Sequence, residues 1–134
     1  MNLTNQIIAE KEDMVDFIKN YPSDTPVVMV NILKFKAEVS GGDKTGRESY
    51  NEYGQATAPL LEKVGGKVLW VGKVNQTLIG DSSGEPHRIM LVQYPNKEAL
   101  ISMITSEAYA KISHLREGAL EYGGLIATET IFQG

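Results

Sequence analysis

The segment from Val27 to Phe35 (VVMVNILKF) is apolar on both of the faces that a strand can present. Side chains alternate along a strand, so Val27, Met29, Leu33 and Phe35 point one way while Val28, Val30 and Ile32 point the other. A strand of this kind belongs inside a sheet that is covered on both sides. The remainder of the chain has to supply that cover, or a partner has to.

Helices are legible on either side of the strand. The spacing of Met14, Phe17 and Ile18 predicts a helix from Asn5 to Asn20, stopped at Tyr21-Pro22 because proline cannot continue the hydrogen-bond ladder. After a Gly- and Ser-rich loop, Thr45-Gly46-Arg47-Glu48 has the form of a capping box. The helix that it opens carries Tyr50, Tyr53, Thr57, Leu60, Leu61 and Val64 on one seam, contains Pro59 and stops at Gly65-Gly66. A second strand is expected over Lys67 to Ile79, with Val68, Trp70 and Val74 on one face, Leu69 and Val71 on the other, and a bulge or bend at Gly72. A turn at Gly80 to Gly84 leads to a third strand, His87 to Tyr94. Helical segments follow from Asn96 to Ile104 and from Glu107 to Tyr122, the last stopped by Gly123-Gly124, and Leu125 to Phe132 reads as the final strand.

The order is an N-terminal helix followed by β-α-β-β-α-β, which is the ferredoxin-like α+β arrangement of a four-stranded antiparallel sheet with helices on one face. At 134 residues the chain is expected to be one domain, residues 1–24 forming a helical extension and residues 25–134 the core. Helices on one face leave the other bare, and an apolar patch of that size is rare on a monomer. A second copy packed sheet to sheet is the expected cover, giving a homodimer; the alternative is that loops and the N-terminal helix close the face.

Composition narrows the partners. A net charge of −4 and scattered basic residues argue against nucleic acid. Lys34 and Lys36 are the nearest thing to a cluster and suit a solvated strand end. No run is long and apolar enough to span a bilayer, and no signal peptide is visible, so no membrane partner and a cytoplasmic location are the expectations. Cysteine is absent, which removes disulfides and thiolate sites. No phosphate loop, nucleophile elbow or dinucleotide fingerprint occurs, no Glu-x-x-His spacing is present, and neither a cofactor nor a metal is expected.

Pro26-Val-Val-Met-Val-Asn31-Ile-Leu-Lys-Phe35, Gly46-Arg-Glu-Ser-Tyr50-Asn-Glu-Tyr53, Gly65-Gly66-Lys-Val-Leu-Trp70, Val92-Gln-Tyr94-Pro95, and Tyr109 with Arg116 occur here in one order. Together, over Thr25 to Glu129, they resemble the domain of unknown function 1330 family of the dimeric α+β barrel superfamily. The resemblance implies paired sheets forming a barrel, helices outside and a pocket in each subunit. The wider superfamily includes cofactor-independent monooxygenases, lactone isomerases, haem-degrading enzymes and dye-decolourising peroxidases, so the fold implies no single activity.

Several residues break otherwise apolar patterns. On a continuous helix Arg116 falls inside the arc of Tyr109, Ile112, Ala119 and Leu120, where a guanidinium needs a carboxylate, carbonyls or a ligand anion. Asn31 sits mid-strand between Met29 and Leu33, able to orient a substrate carbonyl or to tie down a loop. Tyr50 and Tyr53 face the sheet one turn apart, as core residues or as a pocket wall, and Trp70 is a candidate for the same wall. Arg47 lies at the mouth of that pocket or in solvent. His87 is a candidate base or rim ligand, whereas His114 reads as a surface residue. The catalytic candidates are therefore Arg116, Asn31 and Tyr53; the ligand-binding candidates are Tyr50, Trp70, Arg47, His87 and Tyr109. The corresponding functions are a cofactor-free enzyme acting on a small oxygenated, partly apolar molecule (monooxygenase- or isomerase-like), a non-catalytic binder of such a molecule, or a structural dimer.

Overall fold

The structure is a computed structural model that describes residues 7–134. Its elements are α1 (Lys11–Asn20), β1 (Val27–Phe35), α2 (Gly46–Lys63), β2 (Lys67–Lys73), β3 (Arg88–Tyr94), α3 (Lys97–Ile104), α4 (Glu107–Ala110), α5 (Ser113–Glu117) and β4 (Leu120–Thr128). The four strands are antiparallel in the order β2-β3-β1-β4, the ferredoxin-like arrangement. β1 has the limits and the alternation that its sequence predicts, its ends defined by Pro26 and by the loop after Phe35.

The capping box is formed: Glu48 N–H donates to Thr45 Oγ1 at 3.1 Å and Thr45 N–H donates to Glu48 Oε1 at 2.9 Å. That reciprocal pair satisfies two amides that the first turn of α2 would otherwise leave open. α1 starts at Lys11, because Glu10 is extended; of the helix expected from Asn5, residues 5 and 6 lie outside the described residues. Buried Lys97 anchors α1 from below, its Nζ donating to the carbonyls of Ile18 at 2.6 Å and Tyr21 at 2.7 Å. These are carbonyls at the C-terminal end of α1, where a cation is favoured.

Helices pack on the face that carries Val27, Met29, Leu33 and Phe35. One buried cluster joins Val27, Met29, Val92, Tyr94, Leu100 and Met103; a second joins Leu33, Phe35, Tyr50, Ala119 and Leu120. Phe17 of α1 packs on the first cluster, so the N-terminal helix lies on this side and does not cover the opposite face. There Val30, Ile32, Ile89 and Leu91 are only half-buried.

Three sequence expectations are corrected. β2 ends at Lys73 and not at Ile79; Glu85 holds the Thr77 amide at 2.8 Å in a loop, and Leu78 and Ile79 are exposed. The irregularity in β2 falls at Leu69, between Val68 and Trp70, and not at Gly72. That extra residue turns Trp70 to the opposite face from Val68, and Gly72 lies under its indole, where any side chain would collide with the ring. The helix expected over Glu107 to Tyr122 is two short helices, and β4 starts at Leu120, so Gly123-Gly124 lie within a strand. A Cβ on Gly123 would stand 2.8 Å from the Arg116 guanidinium and one on Gly124 would strike the Tyr122 phenol. The two glycines thus make room on the two faces of one strand.

Candidate functional site

Met90 of β3 borders both buried clusters, and the ground between them is polar. Asn31, opposite Met90 across the β1–β3 pair, points to the helix side and donates from Nδ2 to Met29 O at 3.3 Å. Tyr50, on the inner seam of α2, is buried and places its hydroxyl 3.8 Å from the Met90 sulfur. One turn on, the Tyr53 and Tyr109 hydroxyls are 2.8 Å apart, joining α2 to α4, with their rings edge to face. Tyr109 is positioned by the cap of α4, its N–H donating to Ser106 Oγ at 3.1 Å.

Arg116 of α5 completes this seam. It donates from Nη1 to Ile7 O at 2.6 Å and from Nη2 to Gly123 O at 3.0 Å. Among the described residues it has no carboxylate partner, and residues 1–6 contain no acid. Its positive charge acts on both the Tyr50 and the Tyr53 phenols. Burial nevertheless dominates: it holds the Tyr53 phenol well above the ordinary tyrosine value, with the neighbouring Tyr109 adding to the effect, and burial raises Tyr50 as well. Both hydroxyls are therefore protonated at neutral pH. The seam is not closed by helices over β4, where Leu125, the partner of Asn31, is 49% exposed.

The chain thus brings together Arg116, Asn31, Tyr50, Tyr53 and Tyr109. Three candidates lie elsewhere. Trp70 stands on the other face of the sheet, 53% exposed beside an open groove of about 450 Å³ that it shares with Ile89 and Leu78, and does not line the tyrosine seam. Arg47 and His87 gather instead around Phe35: the Arg47 guanidinium carbon is 4.9 Å from the ring centroid, and the imidazole stacks on the ring at 5.7 Å. His87 Nδ1 accepts the Phe35 amide at 3.0 Å, which assigns the remaining proton of the neutral ring to Nε2. Burial, followed by the charges of Arg47 and Lys34, lowers the His87 pKa. Its acceptor nitrogen is occupied, so His87 cannot serve as a base without losing that bond.

Two participants escaped the sequence reading. Arg88 lies 5.0 Å over the same Phe35 ring, and Met90 accepts from Tyr50. Arg88 alternates in phase with Met90, Val92 and Tyr94, and a charge in the inward phase of a strand is the signal that marks it. Lys34 pairs with Glu121 at 3.7 Å, as a solvated strand end does. Among the described residues no group of three or more histidine, aspartate or glutamate side chains could hold a metal, and no helix is long and apolar enough to cross a membrane.

The family described as "Domain of unknown function (DUF1330)" matches residues 39–130. A crystal structure of a protein of unknown function from Rhodopseudomonas palustris is similar over 97% of this chain and 100% of its own, with a TM-score of 0.90 and 29% identity. A dimeric protein of unknown function and ferredoxin-like fold from Bacteroides fragilis is similar over 81% of this chain and 100% of its own, at a TM-score of 0.53 and 12% identity. The hydroxynitrile lyase of Passiflora edulis matches over 83% of this chain and 98% of its own, at 0.59 and 8%. The last two likenesses show the fold alone. Comparison with curated proteins found no match.

Proposed function

This chain belongs to the domain of unknown function (DUF1330) family, a membership that leaves the chemistry to its own side chains, and we propose that it binds a small oxygenated, partly apolar molecule in the polar seam between helices and sheet, working as a homodimer. The observation that carries the reading is the Tyr53–Tyr109 hydroxyl pair between two apolar clusters, within reach of the charge of Arg116, which among the described residues has no carboxylate partner. Groups of that kind offer protons, so the matching ligand carries a carbonyl, hydroxyl or similar acceptor oxygen, with an apolar body against Met90 and the tyrosine rings.

Binding without chemistry is favoured over catalysis that begins with proton abstraction. The tyrosine phenols are held protonated and the acceptor nitrogen of His87 is occupied, so neither supplies a base. A second reading keeps the same donors as stabilisers of a developing oxyanion in a cofactor-free, isomerase-like reaction. The homodimer is supported by the uncovered apolar sheet face, where Trp70 and Ile126 are half exposed, and by the description of the Bacteroides fragilis protein of the same fold as dimeric.

The test is fluorine NMR of protein carrying 3-fluorotyrosine at its six tyrosines, titrated with small ketones and phenols such as acetophenone. Saturable shifts at Tyr53 and Tyr109, with none at Tyr21, support the seam. Saturable binding that moves other tyrosines and leaves these two unmoved overturns it.

A further inference from the structure

We propose that Arg47, Arg88 and His87, gathered around the Phe35 ring, form a second binding site, for the oxyanion group of a small molecule, a carboxylate or a phosphate. The two guanidinium carbons lie 4.9 and 5.0 Å from the centroid of one ring, and the imidazole stacks on the same ring with its plane 15° away. Two cations gathered on one ring repel each other, and the charge of Arg47 acts on Arg88. Attraction to the ring quadrupole leaves the charge of each guanidinium unneutralised. An anion between them removes the repulsion.

Among the described residues no carboxylate is paired with either guanidinium, and that of Arg88 makes one hydrogen bond, from Nη1 to the neutral amide oxygen of Asn51 at 3.3 Å. The carboxylates close in sequence have other partners, Glu48 in the capping box, Glu52 with Lys44 at 2.9 Å and Glu85 on the Thr77 amide, and Glu121, whose charge reaches His87, pairs with Lys34 at 3.7 Å. Residues 1–6 contain no acid. This pair of unmatched positive charges stands on a chain whose net charge is −4.

The imidazole fits the same role. Its Nδ1 accepts from Phe35 N–H, so Nε2 carries a proton and is a donor. Two guanidinium forks and one imidazole N–H supply donors only, which is the chemistry of oxyanion recognition. The site adjoins the Arg116 seam through Tyr50, whose ring is 5.6 Å from Phe35 and whose phenol feels the charges of both Arg116 and Arg88, but its donors are not those of Tyr53, Tyr109 and Arg116.

The test is NMR of the labelled full chain, following the His87 imidazole and the Phe35 amide during titration with sodium phosphate and, separately, sodium acetate, ionic strength being held constant with chloride. The expected result is a saturable shift of both signals. Whichever anion saturates at the lower concentration identifies the oxyanion the site prefers. Arg47→Gln, at an exposed position of α2, is expected to weaken binding roughly tenfold, the equivalent of one charge-assisted contact. R47Q/R88Q is expected to abolish saturation, and Tyr53→Phe to leave it unchanged, so loss of the seam reading does not carry this site with it. Linear shifts equal to those from chloride, or saturation that survives in Arg47→Gln at unchanged affinity, would overturn the proposal.

Discussion

The Tyr53 and Tyr109 hydroxyls are 2.8 Å apart, a bond that ties the long helix α2 to the single turn of α4. Each hydroxyl partners the other, so removing one takes away its mate's bond in a part-buried place. Tyr53→Phe and Tyr109→Phe are each expected to cost about 1 kcal/mol, and the double variant less than the two combined. Urea denaturation of the four proteins checks this. Strictly additive losses would mean that the hydroxyls act independently.

Acid is expected to weaken the fold through His87. Its folded pKa lies below the ordinary 6.5, through burial and then the charges of Arg47 and Lys34, with Glu121 opposing. The unfolded chain then binds the proton more readily, so stability from this group is complete above about 6.5 and falls as pH drops towards the folded value. Denaturation midpoints across that window, compared with those of His87→Gln, are expected to show a steeper acid loss in the wild type. Parallel profiles would exclude His87 as the source.

Lys97 ties the end of α1 to the core by two short bonds to carbonyls. Lys97→Met keeps the apolar stem and removes the donors, and it is expected to cost on the order of 2 kcal/mol. Hydrogen exchange is expected to show the loss first in the amides of α1, with β1 and β3 still protected. Uniform loss across the chain would place Lys97 in the global core instead.

Trp70 is the single tryptophan and stands half exposed on the open sheet face. Trp70→Glu is expected to give a folded monomer, because the side chain has little to lose within one subunit and a charge is costly inside a sheet-to-sheet interface. Light scattering after gel filtration checks the mass and circular dichroism the fold. An unchanged dimer would move the interface off this face.

The parts of the fold legible in the sequence are those whose cause is local. β1 announces itself by alternation after Pro26, and α2 by a capping box that involves only Thr45 and Glu48. What escaped depends on distant neighbours. Gly123-Gly124 read as a helix stop, yet they sit in β4 because Arg116 and Tyr122 need the space above and below that strand. Trp70 changed faces because one extra residue, Leu69, entered β2, and no local residue marks it. In the seam, Tyr50, Tyr53 and Asn31 were legible as polar groups on inward positions. The union of Tyr53 with Tyr109 required α4, a turn hidden inside an apparently continuous helical period.

Native mass spectrometry, sprayed gently from volatile buffer with acetophenone present, tests the central proposal most directly. The expected result is a homodimer that takes up one ligand per subunit, with uptake lost when Tyr53→Phe and Tyr109→Phe are combined. A monomer, or a dimer whose uptake is the same in the double variant, would contradict it.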